Sequence, residues 1–229
     1  MKTALVTGAS SGIGKAIAST LLKEGMSVIG LCRSVDQLPD GVKPLACDLR
    51  DESAIEAAFE SLKELDILVN SAGLAYLSRI CDGNPSDWEE MWRVNVHALC
   101  LCSQLSLALF PESGGHILNL SSMSGHRVPP TGGFYASTKF AVRAVSEALR
   151  AELKTRGNKT RISCLSPGFV DTPLLDKYFA GREDQLAETR AKIDMLTPEA
   201  IADAALHILT SPASVEINDV LLRSADQAI

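Results

Sequence analysis

Long apolar runs are missing from this chain. No stretch approaches the roughly 18 residues needed to cross a bilayer, so no membrane-spanning segment is expected. Basic clusters are missing too. No run of consecutive Lys or Arg exceeds two residues, and 22 basic against 28 acidic residues leave a formal charge of −6. Polyanions attract basic patches, so neither nucleic acid nor a membrane surface is an expected partner. Cysteine pairing signals are absent. Cys32, Cys47, Cys81, Cys100, Cys102 and Cys164 form no Cys-x-x-Cys and lie scattered through apolar segments. Most of them read as small buried hydrophobes in a reducing cytoplasm. His97, His116, His126 and His207 show no ligand spacing, so no metal site is expected. No repeat, low-complexity stretch or linker appears. The N-terminal apolar run enters a glycine turn too early to serve as a signal peptide.

What is present is alternation. The 229 residues are 46% hydrophobic and 22% charged, which suits one large domain spanning 1–229. Seven short apolar runs recur: Ala4–Val6, Val28–Leu31, Pro44–Ala46, Ile67–Val69, His116–Leu120, Ile162–Leu165 and Val220–Leu222. Their near-continuous apolar character predicts strands buried on both faces. Helical patterns lie between them. Ile13, Ile17 and Leu21 recur every four residues, and Ile55, Phe59 and Leu62 form a stripe within 51–65. Ser86 and Glu89 have capping-box spacing at the head of a helix expected over 86–110. A further helix is expected over 135–153, and Thr197-Pro198 opens the last, with Thr as cap. The fold class is therefore α/β: a Rossmann-like, doubly wound parallel sheet of about seven strands with helices on both faces. Only about ten residues separate the second and third runs, too few for a full crossover helix.

The first strand ends in Thr7-Gly8-Ala9-Ser10-Ser11-Gly12-Ile13-Gly14 and runs straight into a helix. Gly8 permits a sharp turn, Gly12 removes a side chain where a phosphate would approach, and Gly14 lets the helix lie close to the sheet. The helix N-terminus then offers free N–H groups and the positive end of its dipole to a pyrophosphate. Cofactor flavour should show at the end of the second strand, which reads Leu31-Cys32-Arg33-Ser34 with no carboxylate before Asp36. A basic residue there accommodates a 2′-phosphate, so Arg33 favours NADP(H), with NAD(H) possible.

Tyr135 and Lys139 are four apart, hence one turn apart on one helix face. A phenol titrates near pH 10, and a nearby ammonium stabilises its anion; a shift of three units needs roughly 4 kcal/mol. Ser122 lies thirteen residues upstream, at the end of the fifth strand, where such sheets open to ligand. Its hydroxyl can hold a carbonyl oxygen beside that of Tyr135; Ser121 and Ser124 compete for the role.

Taken together, these residues resemble the short-chain dehydrogenase/reductase family over essentially the whole chain. The resemblance includes Asp48 after the third strand, Asn70-Ser71-Ala72-Gly73 after the fourth, Asn95, and Pro167-Gly168 followed by Thr172. The stretch 119–142 looks most like the subgroup that includes the cytosolic NADP-dependent 3-hydroxy acid and steroid or retinoid-type reductases, and the chain as a whole resembles the 3-hydroxy acid and carbonyl reductases. The resemblance implies that Tyr135 is the general acid/base, that Lys139 binds the nicotinamide ribose and lowers the Tyr135 pKa, and that Ser122 orients the substrate. Asn95 would hold a water behind Lys139. The turn (Gly8, Ser10, Ser11, Gly12, Ile13, Gly14) would cradle the dinucleotide. Asp48 and Leu49 would meet adenine, and Asn70, Ala72 and Gly73 would line the cofactor. Pro167, Gly168, Val170 and Thr172 would dock the carboxamide. The family usually has Asn where Ser71 stands. The implied activity is hydride transfer between nicotinamide and a carbonyl or secondary alcohol; a non-catalytic dinucleotide-binding redox sensor is the alternative. A substrate lid is expected over 174–196. Apolar stripes on 86–110 and 135–153 would, by resemblance, build a homodimer or homotetramer. Trp88 and Trp92 read as packing residues.

Overall fold

The computed structural model describes residues 1–129 and 132–227. All seven expected strands form: β1 (Thr3–Thr7), β2 (Ser27–Cys32), β3 (Lys43–Ala46), β4 (Ile67–Asn70), β5 (His116–Leu120), β6 (Arg161–Pro167) and β7 (Asp219–Leu222). They make one parallel sheet in the order β3-β2-β1-β4-β5-β6-β7. The order reverses between β1 and β4, the place where doubly wound sheets open a crevice at their carboxyl ends.

Alternate side chains feed two cores, as the strand period requires. Ala4, Val6, Val28, Val69, Leu118 and Leu165 face α1 (Gly12–Lys23) and α8 (Pro198–Thr210). Leu5, Leu31, Leu68, Ile117 and Ile162 face α2 (Glu52–Glu60), α4 (Ala98–Ser106) and α5 (Gly133–Thr155). Burial on both faces holds for the inner strands but not at the edges. β3 is largely exposed and β7 alternates, because an edge strand has a neighbour on one side only.

The β2–β3 link contains a single 3-10 turn, Val35–Gln37. Gly30 explains how so short a link works: a Cβ there would strike the Leu38 side chain, which lies directly on the strand. The helix expected over 86–110 is divided. α3 (Pro85–Trp92) is capped by Asn84, whose side-chain oxygen accepts from Ser86 N at 3.1 Å, so Ser86 is not the cap. A π turn, Arg93–His97, then joins it to α4. The stripe expected over 51–65 gives the shorter α2, with Asp51 as its cap. Thr197 caps α8 as expected, accepting from Ala200 N at 3.2 Å. Two short helices, α6 (Pro173–Tyr178) and α7 (Glu183–Lys192), occupy the segment read as a lid. Among the described residues, no helix is long and apolar enough to cross a membrane.

Candidate active site

The carboxyl ends of the strands enclose a cavity of about 760 Å³. Its floor is the turn after β1. Gly8 has φ +68°, and a Cβ there would lie 2.8 Å from Ala72 Cα, so both backbone conformation and space demand glycine. Gly12 is at φ +50° and would meet only the Thr172 side chain, at 3.2 Å, which keeps the mouth of the turn clear. The α1 N-terminus has no side-chain cap from Ser11 and no acidic residue in its first turn. Its N–H groups therefore face the cavity free of competing carboxylate, a donor set that fits a pyrophosphate. Thr7 Oγ1 accepts from Ser71 N and Ala72 N, at 3.1 and 3.0 Å, and so ties the β1 turn to the loop after β4.

At the β2–β3 end, Arg33, Asp48, Leu49 and Arg50 line the same cavity. Arg50 is committed elsewhere: it grips both Asp48 oxygens and reaches Glu90 at 3.1 Å. Its hydrogen bond, with weaker help from the Arg33 charge, holds the Asp48 carboxyl below its usual range. Arg33 is exposed and forms no hydrogen bond or ion pair among the described residues.

Across the cavity, α5 presents Tyr135 and Lys139. Ser122 caps the turn after β5 by accepting from Ser124 N at 3.1 Å, and its side chain faces the Tyr135 hydroxyl, where it favours the phenolate. This separates it from its neighbours. Ser121 is buried and donates to Lys139 O at 3.0 Å, and Ser124 contributes its backbone. Lys139 Nζ donates to Leu120 O at 2.9 Å and sits 5.8 Å from the Tyr135 ring centre. Enclosure pushes the phenol up to about 12, against the Ser122 hydrogen bond, and Tyr178 adds to the rise. Burial also lowers the Lys139 ammonium to about 8. Enclosure thus outweighs Ser122, and Lys139 is not among the groups that shift the phenol here; the lowering that the resemblance implies is not seen in this structure.

Most expected residues converge. Gly8, Ser10, Ser11, Gly12, Ile13, Gly14, Ala72, Gly73, Pro167, Gly168, Val170 and Thr172 all line the cavity. Two do not. Asn70 turns its amide beneath the sheet edge, to Ser103 at 3.1 Å and Asn119 at 2.9 Å, so its side chain does not line the cofactor cavity. Asn95 sits in the π turn. Its Oδ1 accepts from Leu74 N at 2.7 Å, while its Nδ2 donates to Leu74 O and Thr138 Oγ1. It fixes the Gly73–Leu74 segment; a Cβ on Gly73 would fall 3.4 Å from Asn95 Oδ1 and 3.7 Å from Lys139 Nζ. Sequence reading missed Arg50, Glu90 and Gln227, all of which line the cavity. Arg50 could have been suspected from its place two residues after Asp48. Gln227 carries no local signal. Among the described residues, no group of His, Cys, Asp or Glu is placed to hold a metal.

A doubly wound sheet with an open helix N-terminus and a Ser–Tyr–Lys group at one edge defines a dinucleotide-dependent oxidoreductase. Comparison with known proteins agrees. Residues 2–183 match the short chain dehydrogenase family profile. The chain is 37% identical to dehydrogenase/reductase SDR family member 11 of Bos taurus, covering 99% of this chain and 97% of that protein. Its fold is similar to the closed form of serine dehydrogenase complexed with NADP+ (TM-score 0.92, 31% identity, 99% and 96% covered). It is also similar to 3-ketoacyl-(acyl-carrier-protein) reductase from Brucella melitensis complexed with NADH (TM-score 0.84, 28% identity, 96% of each covered). The chain belongs to the short-chain dehydrogenase/reductase family and is an oxidoreductase of that family.

Proposed function

We propose that the chain is an NADP(H)-preferring carbonyl reductase or secondary-alcohol dehydrogenase, with Tyr135 as its proton-transfer residue. The observation that carries this reading is that Ser122, Tyr135 and Lys139 line one cavity together with the α1 N-terminus. The dinucleotide supplies or accepts the hydride. The protein's part is to hold the carbonyl and to move one proton. In reduction, the Tyr135 O–H gives its proton to the carbonyl oxygen as the carbon gains hydride. Ser122 holds that oxygen against Tyr135, and Lys139 is fixed behind the phenol by Leu120 O. The phenol is protonated at neutral pH, as the reductive direction requires, while its rise to about 12 makes it a weaker acid than a free phenol. In oxidation the proton moves the other way. The positive charge of an oxidised nicotinamide would then oppose the cost of the buried phenolate.

Arg33 supports the NADP(H) preference: it is a guanidinium just after β2 with no ion pair among the described residues, well suited to a 2′-phosphate. Gly8 to Gly14 would hold the diphosphate, Asp48 and Leu49 the adenine, and Pro167 to Thr172 the carboxamide. Asn95 would act by positioning Gly73 beside Lys139. The segment 174–196 would serve as the lid, since Leu174, Leu175, Tyr178 and Ile193 face the cavity. Trp92 and Phe140 are exposed on α3 and α5, where a second copy would cover them in a homo-oligomer. Six free thiols suit a reducing cytoplasm. The test is a panel of ketones and hydroxy acids assayed with NADPH and NADH in parallel, alongside Tyr135→Phe. Carbonyl-dependent NADPH oxidation that disappears in the variant is expected; a fully active variant would overturn the reading.

A further inference from the structure

The chain's last described residue belongs to the active site. Gln227 is 5% exposed and lines the same cavity as Ser122 and Tyr135. After β7 the backbone turns back on itself: Gln227 N donates to Ser224 O at 3.1 Å, and Asp226 N to Ser224 Oγ at 3.3 Å. That turn lays the Gln227 side chain between two loops that carry the chemistry. Its Oε1 accepts from Phe169 N at 3.0 Å, in the loop after β6. Its Nε2 donates toward Met123 Sδ at 3.7 Å, in the turn after β5, one residue from Ser122.

Gly168 makes the approach possible. Its φ is not in the left-handed region, so backbone conformation does not require glycine there. A Cβ would strike Gln227 Oε1 and crowd Arg223 Cβ at 3.0 Å. The space vacated by the missing side chain is filled by the tail's amide. Gly168 N is itself held by Leu222 O at 2.7 Å, so consecutive amides of this loop, Gly168 and Phe169, are both fixed by the end of the chain. Without Gln227 Oε1, the half-buried Phe169 N–H would lose its only protein partner among the described residues.

We propose that Gln227 is a positioning residue, a clasp that locks the Pro167–Val170 loop to the Ser122 turn and so sets the spacing between the nicotinamide dock and the substrate-holding hydroxyl. This deepens the functional reading above and rests on it.

Two variants test the clasp. Gln227→Met keeps the length and bulk of the side chain but removes the acceptor; Gln227→Glu keeps an oxygen for Phe169 N–H. We expect the Phe169 amide to exchange hydrogen about ten-fold faster in the Met variant. The NADPH dissociation constant should rise, and kcat fall, by a similar factor, roughly the worth of one buried hydrogen bond. Gln227→Glu should lie between the Met variant and the unsubstituted chain, with melting temperatures close together. Unchanged exchange and NADPH affinity in Gln227→Met would overturn the proposal. So would equal losses in both variants that follow a fall in melting temperature, since that pattern belongs to a mere space-filler. Exchange and NADPH affinity are read without turnover. Failure of the unsubstituted chain to reduce any carbonyl would therefore count against the functional reading, and the clasp would still stand or fall on the other two measurements.

Discussion

The two walls of the crevice are built in opposite ways. The sheet-side wall carries Ser122, Tyr135, Lys139 and the glycine turn on elements anchored in the cores; Lys139 is 6% exposed and hydrogen-bonded to a strand carbonyl. The lid side, 174–196, buries only Phe179 and Leu186. It is held by exposed ion pairs, Arg190 to Asp171 at 2.8 Å and to Asp176 at 3.4 Å, and by one bridge, Val170 to Leu196. The contrast teaches where precision and motion reside. Groups that exchange a proton need fixed distances, which buried apolar packing supplies. A cover that must open for substrate needs few buried contacts and draws on the low-stability end of the fold.

The sharpest way to break this contrast is Tyr135→Phe. If the rigid wall does the proton chemistry, kcat falls by about 10²–10⁴ while dinucleotide affinity, measured by fluorescence titration, stays put. A second blow is aimed at the adenine end of that wall. Arg33→Ala should lower the preference for NADPH over NADH by roughly ten- to a hundred-fold in kcat/KM, the range for hydrogen bonds to a charged group. An unchanged ratio would remove Arg33 from cofactor selection.

Titration sharpens the contrast further. Burial drops Lys139 to about 8 from an ordinary 10.5. Between those values the unfolded chain binds more protons than the folded one, so this group's penalty is full below pH 8 and fades as pH rises to 10.5. Denaturant melts of Lys139→Met should therefore show their largest stability advantage over the unsubstituted chain at the low end of that window, shrinking upward. A gap independent of pH would mean the lysine is wet. The smallest effect is expected on the lid. Arg190→Ala should change unfolding free energy by less than about 1 kcal/mol, because its partners are exposed. It should still hasten proteolysis within 174–196; a large loss of stability would place the lid with the core.

Much of the sheet wall was legible in the chain itself. Glycine spacing, the four-residue step from Tyr135 to Lys139, and Ser122 at a strand end are local patterns, and the geometry of strand and helix turns each into a position. Arg33 was legible for the same reason: it directly follows a strand end. The divided helix was not, because a π turn at Arg93–His97 leaves the apolar pattern almost unbroken. Asn70 lies on a β-strand end, yet its side chain turns to Ser103 and Asn119, partners 33 and 49 residues away. The exposure of β3 followed from its place at the sheet edge rather than from its composition.

The alternation of strands and helices, the glycine bend and the tyrosine–lysine step were set by the sequence alone, since each depends on neighbours within a few positions and on fixed backbone periods; the order of the strands was decided by the fold. Whether the phenol would be raised or lowered, which serine would meet it, and that residue 227 would reach Phe169 were decided only by the folded chain. Desolvation and a hydrogen bond spanning 58 residues are properties of packing, and no local pattern encodes them.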